Sequence, residues 1–115
     1  MKYELIKSME DLDLYGDVPC LPVELDDSRG ERFVGNESDA WLLLGHFVPG
    51  IDKVCANLLD YSDVDFFDSN QCAVIKKWLE ENKVTDDSML NELYDVLYDY
   101  ISRAIELGTG VIIEL

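Results

Sequence analysis

The sequence predicts a single small α+β domain over residues 1–115, with strands from both chain ends in a mostly antiparallel sheet covered by about three helices. The stretch YELIK at 3–7 alternates between apolar and charged residues, and VIIEL at 111–115 is rich in β-branched residues; both patterns favour strands. Between them, the second half of the chain carries three apolar stripes with helical spacing. Terminal strands with helices between them are typical of one sheet with a helical cover.

The stretch from Met9 to Asn36 has no clear period, because glycines, prolines and acidic residues interrupt it. We expect irregular connections there, around one short strand at Leu21–Leu25, and a further strand that starts near Phe33. The apolar run AWLLLGHF at 40–47 fits a strand or a buried helix, since periodicity does not separate the two.

Three helices are predicted after that run. The spacing of apolar residues from Ile51 predicts a helix over 51–60, following Pro49 and Gly50. Asp68 and Gln71 have the spacing of a capping box, so the second helix should start at Asp68 and end near residue 82. The longest stripe, over 90–105, predicts a third helix that ends at Gly108, a residue suited to the left-handed cap conformation.

Acidic residues dominate the composition: 25 Asp and Glu stand against 9 Lys and Arg, for a formal net charge of -16. Such a surface attracts cationic partners and repels nucleic acid and anionic lipid. The same charge also serves solubility, so composition leaves both interpretations open. We expect no nucleic-acid partner, and no membrane partner because no apolar run approaches the roughly 20 residues of a membrane span.

No pattern in the sequence predicts an enzyme, a cofactor or a metal site. His46 is the only histidine, and its apolar surroundings favour a core-edge side chain bonded to backbone over a general base. Cys55 and Cys72 fall on apolar helix stripes, whereas Cys20 lies in a proline-flanked loop and is the one thiol worth testing. A Cys–His pair with His46 remains an alternative. The start of the chain lacks the pattern of a signal peptide, so we expect a reducing cytoplasm and free thiols.

Two clusters combine acids with apolar residues or turns, and these are the candidate partner-binding residues. The first is the link from Asp60 to Asp68, where aspartates alternate with aromatic side chains, a composition suited to an interface with arginines on a partner. Its candidate residues are Asp60, Tyr61, Asp63, Asp65, Phe66 and Asp68. The second consists of Glu24, Asp26 and Asp27, with Asp17 and Glu31 nearby. The alternative is structural: the phenylalanines fill the core and the acids solvate loops.

The C-terminal stretch LYDYISRAIELGTGVIIEL at 97–115, a helix that leads through a Gly-Thr-Gly turn into a strand, resembles the C-terminus of immunity proteins of bacterial polymorphic toxin and contact-dependent growth inhibition systems. The resemblance covers about a fifth of the chain. It implies a cytoplasmic protein that binds and neutralises a cognate toxin domain, of which many are nucleases with a basic groove. An acidic inhibitor would match such a groove electrostatically.

Two other functions remain open from the sequence. A phage-encoded nucleic-acid mimic, such as an anti-restriction or anti-CRISPR inhibitor, would carry its carboxylates in an extended double row. A small enzyme would depend on Cys20 or His46. The immunity protein is the leading expectation, because the sequence combines high acidity with an aromatic and acidic link and shows no catalytic motif.

Overall fold

Four strands form one antiparallel sheet at the centre of the molecule, in a computed structural model that describes residues 1–16, 18–55 and 63–115. They are β1 (Lys2–Ile6), β4 (Gly30–Val34), β5 (Val64–Asp68) and β6 (Gly110–Glu114), in the order β4-β1-β6-β5. The terminal strands are neighbours, with Lys2 opposite Glu114 and Ile6 opposite Gly110. The predicted α+β class and the meeting of the chain ends in one antiparallel sheet are confirmed.

Three helices cover one face of this sheet: α1 (Glu37–Cys55), α2 (Ser69–Asn82) and α3 (Ser88–Leu107). Because side chains alternate along a strand, the same face of β1 and β6 presents Tyr3, Leu5, Val111 and Ile113 to the helices. These side chains and the apolar stripes of the helices form the core. Burial of such stripes is the main source of stability for helices of this length.

The predictions for α2 and α3 are confirmed, including the capping box at the start of α2 and the glycine cap at the end of α3. Gln71 N–H donates to Asp68 Oδ1 at 2.8 Å and Asp68 N–H donates to Gln71 Oε1 at 3.1 Å, which completes the capping box. Gly108 ends α3 in the left-handed conformation, with φ of 67°. The chain can therefore turn directly into β6, where Thr109 Oγ1 donates to the carbonyl of Ile6 in β1.

Helix α1 differs from the prediction, because Pro49 and Gly50 lie inside it instead of before it. Asn36 caps its start, since Asp39 N–H donates to Asn36 Oδ1 at 2.9 Å. Burial of Leu43, Phe47 and Ile51 on one face holds the helix through the proline. The ambiguous run at 40–47 is thus helical, and the predicted helix over 51–60 is only the end of α1, with residues 56–60 outside the described part.

Two further predictions are wrong. Residues 21–25 form no strand. The short strands of this region lie before them: β2 (Asp13–Tyr15) and β3 (Val18–Cys20), which pair with each other. The carbonyls of Pro22 and Val23 instead accept hydrogen bonds from Arg32, each at 2.9 Å. In the described part of the predicted link, residues 63–68, the chain forms the strand β5 beside β6, and burial of Phe67 on its inner face fixes it to the core.

Candidate partner-binding surface

A segment at residues 8–29, which the structure describes except for residue 17, lies against the face of the sheet that the helices leave uncovered. We call it the outer strap; it contains β2 and β3. Leu21 of the strap packs against Gly30, where a Cβ atom would collide with both Leu21 and the backbone of Leu5. The sheet is therefore enclosed on both faces, by helices on one and by the strap on the other.

Arg32 fixes the strap to the sheet. Its guanidinium donates from Nε and Nη2 to Glu4 Oε2, at 2.8 and 2.6 Å, and also bonds the strap carbonyls of Pro22 and Val23. Glu4 is only 4% exposed, so its carboxylate is shielded from water, and both hydrogen bonds are charge-assisted. Lys2 lies 3.6 Å from Glu4 and 3.5 Å from Glu114, which extends the charged network along the outer face.

The strap is strongly acidic and also exposes large apolar side chains. It contains seven acidic residues and one arginine. Leu14, Tyr15 and Val23 are 67, 78 and 92% exposed. Six of the strap acids are described and exposed: Glu10, Asp11, Asp13, Glu24, Asp26 and Asp27. Exposed aromatic and aliphatic groups surrounded by carboxylates are the composition expected of a docking surface for a basic protein.

An open cavity of about 210 Å³ separates β2 and β3 from the outer face of the sheet. The strap side contributes Tyr15, Pro19, Cys20 and Leu21. The sheet side contributes Val64, Ile112, Lys2, Glu4 and Glu114. Because Val64 belongs to β5, the cavity reaches the strand that contains the described part of the other predicted acidic cluster.

The structure separates the residues predicted at 60–68. Asp60 and Tyr61 lie outside the described residues. Asp63 is exposed, immediately before β5 and next to the cavity-lining Val64. Phe66 is partly buried and packs its ring over Gly110, where a Cβ atom would not fit. Asp68 is occupied as the cap of α2. Of Asp63, Phe66 and Asp68, only Asp63 has an exposed side chain without a packing or capping role.

Asp65 is on the opposite face from Val64 and points to the helix side of the sheet. Partial burial raises the pKa of its carboxyl, and the nearby charges of Asp63 and Asp52 raise it further. Asp65 is therefore partly shielded from solvent on the helix side of the sheet, which makes it a poor candidate for partner contact.

Replacing Asp65 with asparagine should stabilise the protein at pH 7. A carboxyl whose pKa is raised on folding favours the native state only while it is protonated, so its unfavourable contribution appears as the pH rises. The gain should disappear near pH 3, where Asp65 is protonated in both states. Thermal unfolding at the two pH values measures it; a gain of equal size at both would contradict the burial argument.

The second predicted cluster lies on the strap, but its members differ in role. Glu24 and Asp27 are exposed. Asp26 shapes the strap turn: Ser28 N–H donates to its Oδ1 at 2.8 Å, and its carbonyl accepts from Arg29 at 2.9 Å. The hydrogen bonds from Ser28 lower the pKa of the Asp26 carboxyl. Asp26 is thus a turn residue that also adds negative charge to the surface.

Glu31, which the sequence places near this cluster, belongs to the helix side instead. Its carboxylate accepts a hydrogen bond from Arg103 of α3 and lies 3.1 Å from Lys7 Nζ. Arg103 also pairs with Asp99 at 3.3 Å, one helical turn earlier, as its spacing predicts. The hydrogen bond from Arg103, with a further contribution from Lys7, lowers the pKa of Glu31 to about 2.

The Glu31→Gln variant should be less stable than the native protein at pH 7, by about 1 kcal/mol or less because the pair is partly exposed. The lowered pKa means that Glu31 contributes stability above its ordinary value of 4.5, and that this contribution is lost as the pH falls towards about 2. Urea unfolding curves at pH 7 and pH 2 measure the difference. A deficit that persists unchanged at pH 2 would contradict the ion-pair assignment.

His46 and the cysteines form no arrangement with an evident reaction. His46 is exposed on α1 and its Nδ1 is 2.5 Å from the hydroxyl of buried Tyr94, so its partner is a side chain and not the predicted backbone. Cys72 is fully buried, and burial raises the pKa of its thiol to about 12. Cys20, which lines the outer cavity, is part of β3 and not of a loop. Among the described residues, no group of three or more His, Cys, Asp or Glu is placed to hold a metal.

The sequence did not single out Leu14, Tyr15 or Val23, which the structure leaves exposed on the strap. The available signal was Asp13-Leu14-Tyr15-Gly16, an apolar pair between an acid and a turn residue. That pattern also fits a buried strand, so only the structure shows that both side chains are exposed.

Comparison with known proteins adds no further assignment: no family model, no curated protein and no solved structure matches the chain. In the part of the chain that the structure describes, no helix has the length and apolar character needed to cross a membrane.

Proposed function

We propose that this protein is a cytoplasmic immunity protein without catalytic activity, which neutralises a cognate toxin domain by binding a basic surface on it. The observation that carries the proposal is the outer strap, where Leu14, Tyr15 and Val23 are exposed among acidic residues. Large apolar side chains that are exposed together and bordered by polar residues are typical of interaction surfaces. The resemblance at residues 97–115 supports the toxin as the class of partner.

The electrostatics support a fast encounter. A net charge of -16 produces a long-range attraction for a cationic partner, and six exposed acidic residues of the strap are described beside its exposed apolar side chains. The groove of a nuclease is basic because it binds phosphate, so the acidic strap would match it electrostatically. Bound there, the strap would exclude substrate by occupying the groove.

The strap is also held in place before any partner arrives. Arg32 joins it to the buried Glu4, and Asp26 closes its turn. Ordering a loop upon binding opposes association, so a surface that is already ordered binds more tightly for the same contacts.

The nucleic-acid mimic has weaker support. It requires carboxylates in one extended double row. The exposed acids of the strap and those of α3, such as Glu92 and Asp95, lie on opposite sides of the sheet. This distribution favours a local docking surface over a continuous phosphate-like track.

Binding to the purified product of the adjacent gene tests the proposal. We expect a complex whose association slows as salt rises, since screening shortens the electrostatic field to about 8 Å at 0.15 M salt. The variant Glu24→Lys with Asp27→Lys should associate about tenfold more slowly than the native protein. The matched control, Glu92→Lys with Asp95→Lys on α3, changes net charge equally and should have a clearly smaller effect. No binding and no protection from toxicity would refute the proposal.

A further inference from the structure

We propose that the cavity under the strap receives an arginine side chain of the basic partner; this inference rests on the proposed function and specifies its contact. The cavity lies between the strap and the outer face of the sheet, and the 78% exposed Tyr15 is one of its lining residues. A partner that covers Tyr15 would therefore also reach the cavity.

The walls of the cavity match the stem of a long basic side chain. Pro19 and Leu21 line the strap side, and Val64 and Ile112 line the sheet side. Arginine buries its three methylene groups along such apolar surface while its charged end reaches a polar group.

The charged end of the cavity offers one accessible carboxylate. Glu4 is only 4% exposed, and its Oε2 already accepts both hydrogen bonds from Arg32. Glu114 instead has a side chain that is 37% exposed, and its ion pair with Lys2 spans 3.5 Å, longer than a normal hydrogen bond. Lys2 is shared with Glu4, so Glu114 retains lone pairs for a guanidinium, which binds a carboxylate through two parallel hydrogen bonds.

Tyr15 and two aspartates favour arginine further. The Tyr15 ring lines the cavity and is 78% exposed, so a planar guanidinium can stack on its face, which an ammonium group does less well. Asp13 pairs with Cys20 across β2 and β3 and therefore lies on the same side of this ribbon as the cavity-lining Cys20. Asp63 is exposed at the start of β5. Both carboxylates add negative potential near the mouth.

Titration of the ¹⁵N-labelled protein with N-acetyl-L-arginine methylamide tests this inference without a partner. We expect saturable amide shifts at Tyr15, Cys20, Val64 and Ile112, with a dissociation constant on the order of 1 mM, as suits one side chain. The citrulline analogue, which has nearly the same shape but no charge, should bind at least tenfold more weakly. Shifts spread over the acids of α3, or equal binding of citrulline, would overturn the inference. Equal binding of the lysine analogue would overturn the choice of arginine.

Two variants localise the contact. Val64→Phe should fill the cavity from an exposed position on the edge strand β5. Glu114→Gln should remove the charge of the acceptor without changing the size of the side chain. Each variant should lower the affinity for the arginine probe at least fivefold. Unchanged probe binding in both would overturn the inference. Partner binding that survives both variants would overturn the cavity contact but leave the proposed function standing. Probe binding in a protein that binds no toxin domain would support the cavity and refute the function.

Discussion

Replacing Arg32 with alanine is expected to lower the free energy of unfolding by about 3 kcal/mol, the largest effect of any single substitution proposed for this protein. The variant leaves Glu4, which is only 4% exposed, with Lys2 at 3.6 Å as its remaining cationic partner. A buried carboxylate that loses its hydrogen-bonded partner keeps its desolvation penalty without the compensating interaction. The carbonyls of Pro22 and Val23 lose their donors as well.

Urea unfolding at pH 7 measures this loss, and two variants control for it. Arg103→Ala also removes an arginine from an ion pair, but that pair is about one-third exposed, so the loss should be about 1 kcal/mol or less. Replacing both partners, as Glu4→Leu with Arg32→Met, should recover most of the stability, because no unpaired charge then remains. Equal losses of stability for Arg32→Ala and Arg103→Ala would show that the burial of the Arg32–Glu4 pair does not increase its contribution to stability.

The second large effect is expected on binding. Combined replacement of Leu14, Tyr15 and Val23 with serine should weaken the proposed complex with a toxin domain at least 100-fold, since one aromatic anchor at an interface contributes about 2 kcal/mol or more and the two aliphatic side chains add to it. Thermal stability should change little, because all three side chains are at least 67% exposed. Calorimetric titration measures the affinity, and a melting curve checks the fold.

Exposed apolar residues elsewhere provide the matched control. Val84, Met89 and Leu107 are 87, 52 and 49% exposed and belong to the helical side of the molecule. Replacing these three with serine removes a comparable apolar surface away from the strap, and affinity should stay within about twofold of the native value. An equal loss for both triple variants would show that the strap has no special role in binding.

The helices α2 and α3 and the terminal strands could be predicted from the sequence because local signals decide them. Their caps, Asp68 and Gly108, act on neighbouring backbone groups, and the apolar stripe of α3 continues over its whole length. The meeting of the chain ends followed from the general tendency of terminal strands to share one sheet. Local chemistry and tertiary packing agree in these elements.

The remaining elements depend on distant contacts that the sequence does not display. Pro49 is a helix-breaking signal, yet burial of Phe47 and Ile51 keeps it inside α1. Strand β5 exists because β6 offers it a partner more than 40 residues further along the chain. The position of the strap depends on Arg32, whose side chain contacts a glutamate 28 residues away.

The candidate site was predictable in chemistry but only partly in position. The sequence identified Glu24 and Asp27 as surface acids, and the structure places both on the strap. It could not tell that Asp65 points to the helices or that Asp68 is used as a cap, because both facts follow from the strand that precedes α2. Nor could it show that Tyr15 is exposed beside a cavity, since exposure is a property of the assembled fold.

Hydrogen–deuterium exchange of the protein alone and with its proposed toxin partner decides whether the outer strap is the docking surface. We expect slower exchange at strap residues 12–24 in the complex, with little change at the outward-facing side of α3. Protection confined to α3, with the strap exchanging as fast as in the free protein, would contradict it.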